Sequence, residues 1–169
     1  MQDHIGFMQD PALVNLLNGE QLIFADKIKK TNMYEWTQER TLVITNKAIY
    51  NVHKKSVKRT IQIREIGGMT KTVPPSKSTT EFTVHVPSEY DYRFLSGRRD
   101  QIMKILKTLY FLEHNKNCPV FGVPAKDLKE YTTTEKDMKK GNTRFPLPEF
   151  RDYKEDTFGN ANDGLANPA

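Results

Sequence analysis

Thr41-Leu42-Val43-Ile44-Thr45-Asn46-Lys47-Ala48-Ile49-Tyr50-Asn51-Val52 is two short runs around a turn. β-branched and aromatic residues dominate both arms, which suits a pleated, half-buried surface. Thr45-Asn46-Lys47 predicts a tight hairpin, because asparagine tolerates a positive φ. The same texture continues outward on both sides. Leu22-Ile23-Phe24 leads into Lys27-Ile28-Lys29 as a first strand. Val57, Ile61 and Ile63 share one side of a fourth strand, with Lys58 and Gln62 on the other. Gly67-Gly68 interrupts it, and a weaker strand from Met69 to Val73 ends at Pro74-Pro75. Glu81 to Val86 alternates with Phe82, Val84 and Val86 inward, and Tyr92 to Leu95 is a last short strand.

The period then changes. Ile102, Ile105, Leu106, Leu109 and Leu112 recur at three and four residues, predicting a helix over about 98–113 with Ser96 as its cap. Upstream, Asp10-Pro11 opens a short helix with Leu13, Val14, Leu16 and Leu17 as its apolar stripe and Gly19 as its stop. About seven antiparallel strands closed by one amphipathic helix make an α+β class, the helix plugging an open sheet or barrel. Three segments follow: an N-terminal helical segment (1–19), the strand-and-helix domain (20–113) and an extended tail (114–169). In the tail, Cys118-Pro119-Val120-Phe121-Gly122-Val123-Pro124 reads as an anchored linker. Thr134 to Lys140 reads as two helical turns with Thr134 and Asp137 as a capping box.

Composition removes whole classes. The 169 residues are 28% charged and 37% hydrophobic, which fits one globular domain with polar extensions. No run approaches the roughly 18 apolar residues of a membrane span. The start, Met1-Gln2-Asp3-His4, shows no secretion pattern, and neither N-myristoylation nor prenylation is signalled. A single cysteine, Cys118, allows no internal disulfide and suits a reducing, cytoplasmic setting. His4, His53, His85 and His114 stand singly, so neither metal nor cofactor is expected. No nucleophile, base and orienting acid can be assembled, so the chain is not expected to be an enzyme. No nucleic-acid recognition motif accompanies the pI of about 9.2.

The net charge of +5 is unevenly placed. Residues 1–113 hold 17 Lys and Arg against 12 Asp and Glu, whereas 114–169 hold 9 of each. Lys27, Lys29, Lys30, Arg40, Lys47, Lys54, Lys55, Lys58 and Arg59 crowd one window, pointing to a basic face for an acidic partner.

The stretch Glu39 to Tyr50 resembles the hairpin of the myosin-I tail homology domain, in which a basic residue precedes L-x-L-T-x-K-A-x-Y. Val57 to Gly68 resembles that family's next strand and I-x-x-I-x-G turn, and Phe82-Thr83-Val84-His85-Val86-Pro87 its F-x-x-H-V strand. The resemblance spans about residues 10–112. It implies a pleckstrin-homology-like fold, a seven-stranded antiparallel barrel or sandwich capped by a C-terminal helix, and a binding role toward anionic phospholipid headgroups. On matching positions that role falls to Lys27, Lys29, Lys30 and Arg40, with Lys54, Lys55, Lys58 and Arg59 adding charge. Gln38 stands two before Arg40, where lipid-binding members favour a second base, so the resemblance implies electrostatic attraction rather than stereospecific lipid binding.

Two functions are therefore expected. The first is a non-catalytic module docking through its basic face into a larger, cytoskeletal protein assembly. Its tail would act as a strap anchored by Val120, Phe121, Phe145, Leu147, Phe150, Tyr153 and Phe158. The second is a peripheral membrane adaptor for anionic phospholipids and phosphoinositides, with Tyr34 and Trp36 inserting at the interface.

Overall fold

The computed structural model describes residues 1–73 and 80–144. The quoted hairpin is present as β3 (Thr37–Thr45) and β4 (Ala48–His53), with Ile44 opposite Ile49 and Leu42 opposite Asn51. Its turn is built differently from the expectation. Asn46 does not adopt a positive φ. Instead the buried Thr45 hydroxyl accepts the amides of Lys47 (3.1 Å) and Ala48 (3.0 Å), and the Asn46 carboxamide accepts the Gln21 amide (3.0 Å). Side-chain acceptors thus fix the turn that backbone freedom was expected to fix.

All seven expected strands form: β2 (Leu22–Thr31), β3, β4, β5 (Ser56–Gln62), β6 (Gly68–Thr72), β7 (Glu81–His85) and β8 (Tyr92–Leu95). Two more join them, so among the described residues the sheet has nine strands and is mixed rather than wholly antiparallel. β1 (Gln2–Asp3) pairs in parallel with β2, and β9 (Val120–Val123) pairs in parallel with β6. Both are too short for a period to show in sequence. The order is β5-β4-β3-β2-β8-β7-β6-β9, and β2 turns the corner by pairing Lys29 with Leu95 and Lys30 with Phe94.

The helix α2 (Arg99–His114) closes the structure as expected. Its buried face carries Ile102, Met103, Leu106, Leu109 and Tyr110, while Leu112 is 74% exposed. These residues meet Phe24, Ile28, Leu42, Ile44, Ile49, Ile61, Met69 and the β7–β8 aromatics in one core. Ser96 does not cap the helix from the N-cap position, which Arg98 occupies; its hydroxyl accepts the Arg98 amide one turn earlier.

The N-terminal segment covers the opposite sheet face. Asp10 accepts the Ala12 amide and Pro11 opens α1 (Pro11–Val14); a 3-10 turn follows, and Asn18 and Gly19 both take left-handed φ. Phe7 and Leu17 bury against Leu22, Ala25, Val43, Ala48, Tyr50 and Val52, forming a second cluster. A bulge at Asn51/Val52 alters the expected side of β5. Arg59 pairs with Asn51 and turns inward with Ile61, whereas Val57 pairs with Val52 and joins the outer cluster.

The stretch 118–124, read as an anchored linker, contains β9, and residues 125–144 of the expected extended tail form further short elements. After β9, a 3-10 helix (Ala125–Tyr131) packs back on β6 and β7, and α3 (Glu135–Lys139) follows it, beginning in the expected Thr134–Asp137 capping box. The buried Asp91 carboxylate holds this return. It accepts the Thr133 amide (2.9 Å), the Val86 amide (3.0 Å) and His85 Nδ1 (2.8 Å), while the Asp91 amide donates to the Thr133 carbonyl (2.8 Å). Val120 is therefore buried and Phe121 half-buried within the sheet, rather than offered to a partner. Phe145, Leu147, Phe150, Tyr153 and Phe158 lie outside the described residues.

Candidate functional site

Strand register sorts the basic residues onto different faces. Ile28 lies in the core and pairs with Arg40, so Arg40 and Lys30 share the inner side of the sheet. Lys27 pairs with Thr41 and Lys29 with Glu39, continuing the outer side of Ala25 and Val43. The eight basic positions therefore do not form one face. Lys30, Arg40 and Arg59 converge at the mouth of the barrel. Lys27 and Lys29 project from its outside and are exposed, as are Lys54, Lys55 and Lys58 near the β4–β5 turn.

The mouth has an aromatic floor. Lys30 Nζ lies 5.4 Å from the Tyr92 ring centroid, and the Arg59 guanidinium lies 5.0 Å from Tyr92 and 3.7 Å from Tyr90. Such cation–π contacts hold the charges without neutralising them. Arg59 is fixed further by the carbonyls of Tyr90 and Asp91 and by Glu89, 3.3 Å away. Burial lowers the Lys30 pKa, and the like charges of Arg40 and Arg59 lower it further, with Glu135 opposing. Burial likewise drives the Tyr92 phenol upward, so it stays a neutral donor. His53 is held below its ordinary value near 6.5 by partial desolvation and by Arg40, Lys54 and Lys58.

Unmet hydrogen-bonding capacity gathers here. Among the described residues, five buried side-chain polar atoms have no hydrogen-bond partner, and four of them belong to this mouth: Arg40 Nε, Arg59 Nε, Tyr92 Oη and Asn51 Oδ1. Each such group costs about 1–3 kcal/mol. Three of the four are donors, and they sit beside three cations of which Arg59 is paired with Glu89. That arrangement suits an anion carrying several acceptor oxygens. Of these groups, sequence reasoning missed Tyr92, Tyr90 and Asn51, the last standing inside an apolar run with no chemical signature of its own.

The β2–β3 loop overhangs the mouth. The Asn32 carboxamide accepts the amides of Tyr34 (2.9 Å) and Trp36 (3.1 Å), and Glu35 takes a φ of 64°. Arg93 grips Glu35 with two bonds (2.8 and 3.0 Å) while also pairing with Glu81. The tip is thus stiff, yet it presents Tyr34 at 70% and Trp36 at 72% exposure, their rings 6.4 Å apart. A cavity of about 190 Å³ runs from Lys30 and this loop to Lys129 and Glu135.

Thr70, His85 and Asp91 are connected like a catalytic relay, with Thr70 Oγ1 2.6 Å from His85 Nε2. All three are buried, so the relay is structural. Among the described residues no helix is long and apolar enough to cross a membrane.

A family model described as the unconventional myosin tail, actin- and lipid-binding, matches residues 1–143. No curated protein sequence matches the chain at a significant level. Among solved structures, the C-terminal domain of an unknown protein from Leishmania infantum superposes with a TM-score of 0.50 at 16% identity, covering 59% of this chain and 92% of that one. The C-terminal pleckstrin homology domain of pleckstrin, solved with an inositol pentakisphosphate, gives 0.46 at 11% identity, covering 54% of this chain and 97% of that one. The pleckstrin homology domain of human oxysterol binding protein-related protein 11 gives 0.47 at 14%, covering 59% and 88%. At these identities the likeness concerns the fold alone.

Proposed function

The chain belongs to the family of unconventional myosin tail domains described as actin- and lipid-binding, and from that premise we propose that it is a peripheral membrane-docking module. It holds an anionic phospholipid headgroup at the barrel mouth through Lys30, Arg40 and Arg59. The observation that carries this reading is the convergence of three cations with unpaired buried donors on an aromatic floor. Gln38 pairs directly with Lys30, and Arg59, inward by virtue of the β4–β5 bulge, supplies the charge that Gln38 does not. Tyr34 and Trp36 then rest at the interface beside the bound headgroup, where amphipathic rings are favoured. This puts the membrane reading ahead of the protein-docking one.

Flotation on phosphatidylcholine vesicles with and without a minor fraction of phosphatidylinositol bisphosphate, at near-physiological salt, tests it. The protein should float only with the anionic lipid. Replacing Trp36 by alanine should weaken flotation but leave binding of soluble inositol trisphosphate unchanged. Absence of flotation on either vesicle contradicts the proposal.

The β4–β5 turn supports the same reading. Lys54 and Lys55 occupy both central positions of a two-residue hairpin at φ of 50° and 62°, a conformation that favours Asn-Gly. Lys55 gains only an exposed pair with Asp10 at 3.1 Å, which is worth little. The double substitution Lys54→Asn, Lys55→Gly should raise stability by about 1 kcal/mol. It should also weaken binding to acidic vesicles, since each lysine near such a surface contributes roughly 1 kcal/mol. Thermal melting and flotation read the two effects separately.

A second reading retains one observation. Lys27 and Lys29 lie on the outer side of β2, opposite to Lys30. They suit an acidic protein surface, such as a cytoskeletal polymer, and filament co-sedimentation addresses them independently of lipid.

A further inference from the structure

The return segment after β9 passes over the headgroup site. It brings Glu135 and Lys129 to the cavity lined by Lys30, Asn32 and Tyr34. On the other side of Glu135, a wider opening of about 610 Å³ is bounded by Arg59, Tyr90 and Lys139. Glu135 therefore stands between the two cationic halves of the mouth, while its own side chain remains about half exposed and only 3.7 Å from Lys139. Its position is not free to drift. The capping box fixes the first turn of α3, Asp91 clamps Thr133, and Arg144 ties Asp137 (3.4 Å) and Glu130 (3.8 Å) to the end of the segment.

We infer that this segment is the third wall of the anion site, with Lys129 as an added phosphate-binding residue and Glu135 as an internal counter-anion that the incoming headgroup displaces. The inference rests on the lipid-headgroup reading of the mouth. Its physical basis is charge placement. Three like charges at one rim repel; Glu89 offsets Arg59 from the outer side, and Glu135, between Lys30 and Arg59, relieves the remaining repulsion in the unliganded protein. A phosphate entering the mouth must take over this role, so Glu135 weakens binding while Lys129 strengthens it. The tail's zero net charge hides this, because its acids and bases are sorted in space rather than in sequence.

Binding of soluble inositol trisphosphate by the full chain, measured by calorimetry, tests the inference without the long-range field of a membrane. Glu135→Gln should tighten binding about two- to fivefold, and Lys129→Ala should weaken it by a similar factor. Asp127→Asn and Lys126→Ala change the same charges on the same segment outside the two openings, and should leave affinity unchanged. A tightening cannot arise from damage to the fold, which keeps the Glu135 arm decisive. Unchanged or weaker binding by Glu135→Gln, an equal tightening by Asp127→Asn, or unchanged binding by Lys129→Ala overturns the inference. Arg40→Ala separates the two levels: if it too binds normally, the mouth is not the headgroup site at all. Repeating the series on phosphatidylinositol bisphosphate vesicles distinguishes a lipid source from a free inositol phosphate.

Discussion

Arg40→Ala should reduce headgroup affinity by about 10- to 100-fold, the worth of one or two charge-assisted hydrogen bonds. Arg40 lies on the inner side of β3, with its Nε buried and unpaired and one terminal nitrogen donating 2.7 Å to the Glu39 carbonyl. In the unliganded protein it contributes a charge that opposes Lys30. Its removal should therefore leave thermal stability unchanged or slightly higher. Loss of binding without loss of stability is the signature of a group held for a ligand. Loss of both would make Arg40 a structural residue, and flotation paired with thermal melting distinguishes the cases.

Asp91→Ala should act in the opposite sense, costing about 3–5 kcal/mol of stability, because it strands buried partners that nothing else can satisfy. The carboxylate is 2% exposed and serves His85 Nδ1 and the amides of Val86 and Thr133. Two of these lie at the β7 edge of the core and the third fixes the return segment, so its loss loosens the sheet and the third wall together. Denaturant unfolding measures the effect. A change below about 1 kcal/mol would show that the relay through His85 and Thr70 is not what fastens residues 128–144.

Much of the barrel was legible because local pattern and tertiary position agree. The alternation that places Phe82, Val84 and Val86 inward and the three-and-four spacing of Ile102, Leu106 and Leu109 name core residues before any contact is known. Disagreement arises where a neighbour decides. Leu112 continues the helical period but lies beyond the sheet that covers Leu109, so it faces solvent. Val57 keeps its apolar character yet changes side, because one extra residue in the β4–β5 pairing reverses the alternation. β9 is four residues between prolines, and only the exposed edge of β6 gives it a partner.

The site was legible by residue type and not by arrangement. Adjacent lysines at 29 and 30 read alike in a charge count, although Ile28 as an inward residue already implies that Lys30 follows it inward and Lys29 does not. Arg59 required the bulge. Tyr90 and Tyr92 carry no charge, and their role as a floor for Lys30 and Arg59 exists only once β8 lies beside β2. Lys129 and Glu135 are separated from Lys30 by about a hundred residues, and the Asp91 clamp that brings them near joins a loop aspartate to a backbone amide. Polar contacts of that kind leave no periodic trace in sequence.

Binding of an anionic headgroup by inward-facing arginines at the barrel mouth is read out by following arginine Nε–H resonances during titration with inositol trisphosphate. The Nε–H signals of Arg40 and Arg59 should shift together and saturate at one dissociation constant, those of Arg98 and Arg144 remaining in place. Saturable binding that leaves Arg40 and Arg59 unmoved, with shifts confined to Lys27 and Lys29 on the outer face, would contradict it.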